Sequence, residues 1–87
     1  MKTGFSKQTF GPIGVFVDGK DRVWVSSLND RVQAFTTDGK FLIGLGGTGK
    51  DPDQFARPHG MAVDSQGHLY VADAGNQRVQ IFEIPDP

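Results

Sequence analysis

Residues 12–18 read PIGVFVD and residues 58–64 read PHGMAVD. Proline, glycine, valine and aspartate recur in the same order at a constant offset, 58 − 12 = 46. Working outward, Val23-Trp24-Val25 falls on Leu69-Tyr70-Val71 at the same offset. After one inserted residue near Gly75 the offset becomes 78 − 31 = 47, and RVQAF at Arg31 returns as RVQIF at Arg78. Residue type and spacing recur together, so the chain is built from two copies of one structural unit.

Each copy reads as short strands. Gly14 to Asp18 and Gly60 to Asp64 are β-rich runs that end in the turn signals Asp-Gly-Lys-Asp and Asp-Ser-Gln-Gly. Arg22 to Ser26 and His68 to Ala72 follow, then Arg31 to Phe35 and Arg78 to Glu83. The turn Thr37-Asp-Gly-Lys40 leads into a fourth run, Phe41 to Leu45. Val-Trp-Val and Leu-Tyr-Val-Ala are apolar on both faces, as a sheet sandwiched between other sheets requires. Four short antiparallel strands in about 45 residues is the period of a propeller blade. The fold class expected is therefore all-β, with two four-stranded antiparallel blades per chain.

Composition narrows the function classes. Nine basic and ten acidic residues give a net charge of −1, so no basic footprint points to nucleic acid. The chain has no cysteine, hence no thiolate metal site or thiol nucleophile. The longest apolar run, around Phe41 to Leu45, is too short to span a bilayer. The start, MKTGFSKQTF, lacks the apolar centre of a signal peptide. These features make a cytoplasmic location the expectation, with no membrane partner.

The stretch from Phe55 to Phe82, FARPHGMAVDSQGHLYVADAGNQRVQIF, resembles the NHL repeat. In that family Phe-x-x-Pro-x-Gly leads to aliphatic-Ala-Val-Asp, then aliphatic-Tyr-Val-Ala-Asp, then Asn-x-Arg-Val and a final aliphatic-Phe. The first copy departs from the pattern with Ser27 where the second has Asp73. The resemblance implies a propeller, and six blades for a closed ring. It is weakly specific for function, because such repeats serve unrelated activities.

Candidate site residues divide between architecture and chemistry. Asp73, Asn76 and Arg78 form a polar group, and Asn29 and Arg31 repeat two of its members. Recurrence favours a structural role, tying strands through charge-assisted hydrogen bonds at a blade corner. Asp18 and Asp64 are expected to form turns, and Trp24 and Tyr70 to pack between neighbouring sheets. Gly44-Leu-Gly-Gly-Thr-Gly-Lys50 lacks the helix and the hydroxyl residue of a phosphate loop, and the family resemblance implies a connector between blades. His68 is placed in a turn, facing solvent. His59 enters the innermost strand, where side chains can face a central channel. Amidating lyases that resemble this family bind zinc there through histidines. One histidine makes no site, since zinc takes three or four ligands, but a symmetric cluster of His59 from several copies could. No cofactor is otherwise implied.

The order of strands suggests how the chain meets its neighbours. Residues 1–6 resemble a fourth strand, residues 10–46 a full blade, and residues 55–84 a blade without its outer strand. Residues 1–6 are thus expected to complete the blade of a neighbouring chain. Two blades cannot close a ring, and propellers run from about four to eight blades. The partner expected is the chain itself, with a trimer of six blades favoured over a dimer or tetramer. The function expected is a self-assembling binding or structural scaffold, or a natural or engineered fragment of a longer propeller without independent activity. The alternative is a metal-dependent lyase or lactonase with a histidine-lined channel.

Overall fold

The computed structural model describes residues 11–85. The strand expected at residues 1–6 lies outside them. The described residues form two antiparallel sheets, one of four strands and one of three. The first contains β1 (Pro12–Val17), β2 (Val23–Ser27), β3 (Arg31–Phe35) and β4 (Phe41–Gly46), each paired with the next in sequence. The second contains β5 (Pro58–Val63), β6 (His68–Asp73) and β7 (Arg78–Glu83) in the same order. Among the described residues the one helical element is a short 3-10 turn at Ala74–Asn76. No helix among the described residues is long and apolar enough to cross a membrane.

The expected all-β pair of sheets is present, and the strands begin and end within one or two residues of the runs read from sequence. β1 and β5 both start at a proline and both show a register irregularity in their first residues. Proline has no N–H to give to a ladder, so it sits at a strand's beginning and regular pairing starts beyond it.

Period-two alternation decides what each face buries. Phe16, Trp24, Val32, Ala34, Ile43 and Leu45 of the first sheet meet Met61, Val63, Leu69, Val71 and Phe82 of the second in one apolar cluster. Trp24, Val32, Leu69 and Val71 have essentially no solvent exposure. Phe55, from the connector between the sheets, is also sealed in this cluster, with its ring edge-on to Phe82 at 5.9 Å. The connector must turn sharply to deliver it. Gly46 holds φ at +108°, and a Cβ there would lie 2.7 Å from the Asp30 carbonyl oxygen and 2.8 Å from the Phe55 ring. Only glycine satisfies both conditions.

Within this pair of sheets only one of the two aromatics expected between sheets is so enclosed. Trp24 lies between the two sheets, whereas Tyr70 is half-buried on the face of the second sheet that points away from the first. The two residues are equivalent in the repeat, so Tyr70 belongs to a face for which this pair of sheets has no cover.

Candidate functional site

Each sheet closes its first turn around one carboxylate. Asp18 accepts the backbone N–H groups of Lys20 at 2.9 Å and Arg22 at 3.0 Å, the Arg22 Nε–H at 2.6 Å and the Trp24 indole N–H at 2.9 Å. Burial pushes the Asp18 carboxyl up, but the Trp24 and Arg22 donors outweigh it and bring the pKa down to about 2. Asp64 repeats the arrangement, accepting from Gln66 N–H and His68 N–H at 2.9 Å each and from the Tyr70 hydroxyl at 2.9 Å. His68 Nδ1 lies 3.1 Å from the same carboxylate. A carboxylate only accepts, so that nitrogen carries the proton. The His68 backbone N–H is the main cause of the low Asp64 pKa, about 2, with burial opposing and the Tyr70 hydroxyl assisting. His68 therefore opens β6 half-buried on Asp64, rather than standing free in a turn.

The polar corner of the second sheet centres on Asp73, which is fully buried. Its Oδ1 accepts the Ala56 N–H at 2.7 Å, and its Oδ2 accepts Asn76 Nδ2–H at 3.0 Å, Arg78 Nε–H at 2.8 Å and Gln80 Nε2–H at 3.3 Å. Burial pushes the Asp73 carboxyl up, and these donors more than reverse it, so its pKa lies below the ordinary value. With its charge held there, Arg78 reaches the carbonyl oxygens of Lys50, Asp51 and Gln54, at 2.8, 3.0 and 2.8 Å. Asn76 adds the Gly49 carbonyl at 2.8 Å. The corner thus grips the connector that carries Phe55 into the core.

At the first corner Ser27 occupies the place of Asp73. Its hydroxyl donates to Asn29 Oδ1 at 2.5 Å, and Arg31 is exposed. Asp30, which the repeat pattern does not single out, fastens the connector from this side. It accepts Arg57 N–H and Thr48 Oγ1–H, both at 2.7 Å. These partners are 18 and 27 residues away, too far for local spacing to reveal them.

The remaining candidates are open to solvent. His59 is exposed on β5, and its carbonyl oxygen accepts the Ser26 hydroxyl at 2.8 Å. Among the described residues no group of three or more His, Asp or Glu could hold a metal ion. A groove of about 430 Å³ runs between the first turns of the two sheets, lined by Asp18, Arg22, Val63, Asp64 and Ile84 among others. Its carboxylates are already taken by donors of the chain, and no buried polar side-chain atom among the described residues lacks a partner. The outward faces are of another kind. Val15 and Val17 of the first sheet are 71% and 54% exposed, and Val79 and Ile81 of the second 61% and 60%. Far more apolar strand surface faces water here than a two-layer sandwich needs.

The sequence profile of the NHL repeat matches residues 55–82. NHL repeat-containing protein 3 of Mus musculus is 31% identical over 86 residues, covering 93% of this chain and 25% of that protein. Its counterpart in Homo sapiens is 32% identical over 76 residues, covering 83% of the chain and 22% of that protein. The E3 ubiquitin-protein ligase TRIM32 of Homo sapiens is 45% identical over 42 residues, 48% of this chain and 6% of that protein. The chain thus spans about a quarter of the length of the first two relatives.

Proposed function

Proceeding from an NHL-repeat chain, we propose that it works as a binding or structural scaffold, two blades of a propeller ring completed by further copies of itself. Three copies, giving six blades, is the favoured ring. One observation carries the reading. The outward face of the first sheet has the same repeat positions as the inward face of the second, and the converse also holds. Val15, Val17, Val23 and Val25 correspond to Met61, Val63, Leu69 and Val71, which are packed in the core. Ala62, Tyr70 and Ala72 correspond to Phe16, Trp24 and Ser26. A surface whose counterpart is already a packed interface is suited to form that interface again, and head-to-tail repetition closes a ring.

Chemistry supports scaffolding over catalysis. The carboxylates of the turns and the Asp73 corner are saturated by donors of the chain, leaving none poised as an acid, base or nucleophile. The metal-enzyme alternative rests on His59, which would need copies of itself around an axis. Zinc titration of the wild type against His59→Ala at pH 7.5 tests it, and equal binding by the two removes it. The scaffold reading is tested by native mass spectrometry. Three times the chain mass supports the favoured ring, another closed multiple corrects the copy number, and a monomer at every concentration refutes self-assembly.

A further inference from the structure

Gly14 and Gly60 are the same position in the two copies, 60 − 14 = 46 residues apart, yet their surroundings differ completely. A Cβ on Gly14 would lie 2.6 Å from the His59 carbonyl oxygen and 3.1 Å from Ser26 Oγ. The glycine is needed because β5 of the second sheet comes so close. Around Gly60 a Cβ would meet nothing within 4 Å. Gly60 instead opens onto a shallow apolar groove of about 250 Å³, shared with Met61, Ala62, Tyr70, Ala72 and Val79. Neither glycine has the positive φ that would explain it by conformation.

We infer that the Gly60 groove receives β1 of a second copy of this chain, with the Ile13 carbonyl oxygen opposite Gly60 and Ala72. The inference rests on the ring reading above and gives that ring its register. Ile13 is the counterpart of His59, 59 − 13 = 46, so its carbonyl takes the role that the His59 carbonyl has between the sheets. Val15 and Val17 of the incoming copy then pack on the face of Tyr70 and Val79, as Met61 and Val63 pack in one cluster with the counterparts Trp24 and Val32 within the chain. The groove has no charged residue in its lining, which suits the uncharged face of β1 and excludes a charged peptide as the favoured occupant.

Where the innermost strands meet, the junction between copies lacks a polar contact that the one within the chain has. Ser26 accepts the Gly14 N–H at 3.1 Å and donates to the His59 carbonyl at 2.8 Å, so its hydroxyl bridges the two innermost strands. Ala72 stands at the equivalent place, 72 − 26 = 46, and has no hydroxyl to give. At that point the inter-copy junction is therefore weaker by one bridging hydrogen bond.

Sedimentation equilibrium and native mass spectrometry on the full chain, compared among wild type, Gly60→Ala and Ala72→Ser, test this. Gly60→Ala has open space within its own chain, so its circular dichroism when dissociated should equal that of wild type. Between copies its methyl would strike the Ile13 carbonyl, and assembly should weaken by at least roughly tenfold in dissociation constant. Ala72→Ser should tighten assembly by about fivefold, the worth of one net hydrogen bond. An oligomeric wild type whose mass and midpoint are unchanged by Gly60→Ala would overturn this docking face while leaving the ring reading standing. Failure of Ala72→Ser to tighten an otherwise intact ring would overturn the register. A wild type that stays monomeric would refute the ring reading itself and assign the groove to a further blade of a longer polypeptide.

Discussion

The two blade corners occupy the same positions of the repeat and solve the same problem with different chemistry. In the second, a buried aspartate fixes Asn76, Arg78 and Gln80, and through them the connector. In the first, a serine satisfies itself locally on Asn29, and the connector is fastened by Asp30 instead. The ladder is indifferent to the exchange. Ser27 pairs with Arg31 in register as Asp73 pairs with Arg78, so backbone pairing and face alternation survive the loss of a carboxylate. A repeat thus constrains its backbone and its buried apolar positions more tightly than its polar fastenings.

The largest effect should separate Trp24 from Tyr70. Trp24 is enclosed between the sheets, 1% exposed, with its N–H on Asp18. Trp24→Ala should cost about 4 kcal/mol in chemical denaturation. Tyr70→Ala should cost clearly less in the dissociated chain, because one face of Tyr70 is already wet, and approach the Trp24 value only in an assembled ring. Equal costs in the dissociated chain would mean that both aromatics face the same environment, against the difference described here.

Next come the corners themselves. Asp73→Ala leaves the Ala56 N–H and the partly buried Arg78 without their acceptor, and about 3 kcal/mol of stability should be lost. Ser27→Ala removes one local hydroxyl contact and should cost about 1 kcal/mol. If the serine variant lost as much as the aspartate variant, the first corner would be carrying a load comparable to the second.

Much of this was legible in the sequence. The repeat offset, the β-rich runs such as Val23-Trp24-Val25 and Leu69-Tyr70-Val71, and the spaced turn signals were enough to place seven strands and two sheets. The polar corner was legible as a group, because Asp73, Asn76 and Arg78 lie within six residues of one another. What the corner holds was not, since its acceptors are backbone carbonyls more than twenty residues away, and any residue type supplies a carbonyl. Ser26 escaped notice for the same reason. Tyr70 was expected between sheets by its correspondence with Trp24; within the described residues only Trp24 has a sheet on that side.

Acid should sharpen the comparison between the turns. Asp18 and Asp64 have pKa values lowered from 3.8 to about 2 in the folded chain. A carboxylate lowered on folding contributes stability in full above its unfolded value, and the contribution is lost as pH falls through the folded value. Stability should therefore be flat near neutral pH and decline from about pH 4 towards about pH 2. The enclosed Asp18 should account for roughly 2 kcal/mol of the decline. Asp18→Asn should flatten the acid limb more than Asp64→Asn, whose site is open to solvent. Equal flattening, read from urea midpoints between pH 2 and 6, would show that enclosure makes no difference to these two turns.

The smallest effect is also the sharpest test of how far the two corners remain interchangeable. Ser27→Asp restores to the first copy the carboxylate that Asp73 supplies in the second. The donor residue types are present, for Asn29, Arg31 and Gln33 are the counterparts of Asn76, Arg78 and Gln80. Against this stands desolvation, because Ser27 is only 1% exposed and a charge placed there without full pairing is costly. Asp73 offsets that cost with four donors, one of them a backbone N–H. Three side-chain donors with one guanidinium should still leave a net gain of about 1 kcal/mol near neutral pH. The gain should vanish in acid, since the new carboxyl would be stabilised in its charged form and protonation would remove its partners' acceptor. A variant less stable than wild type at neutral pH would mean that Arg31 does not swing from solvent onto residue 27, and that the first corner has diverged beyond repair by one substitution.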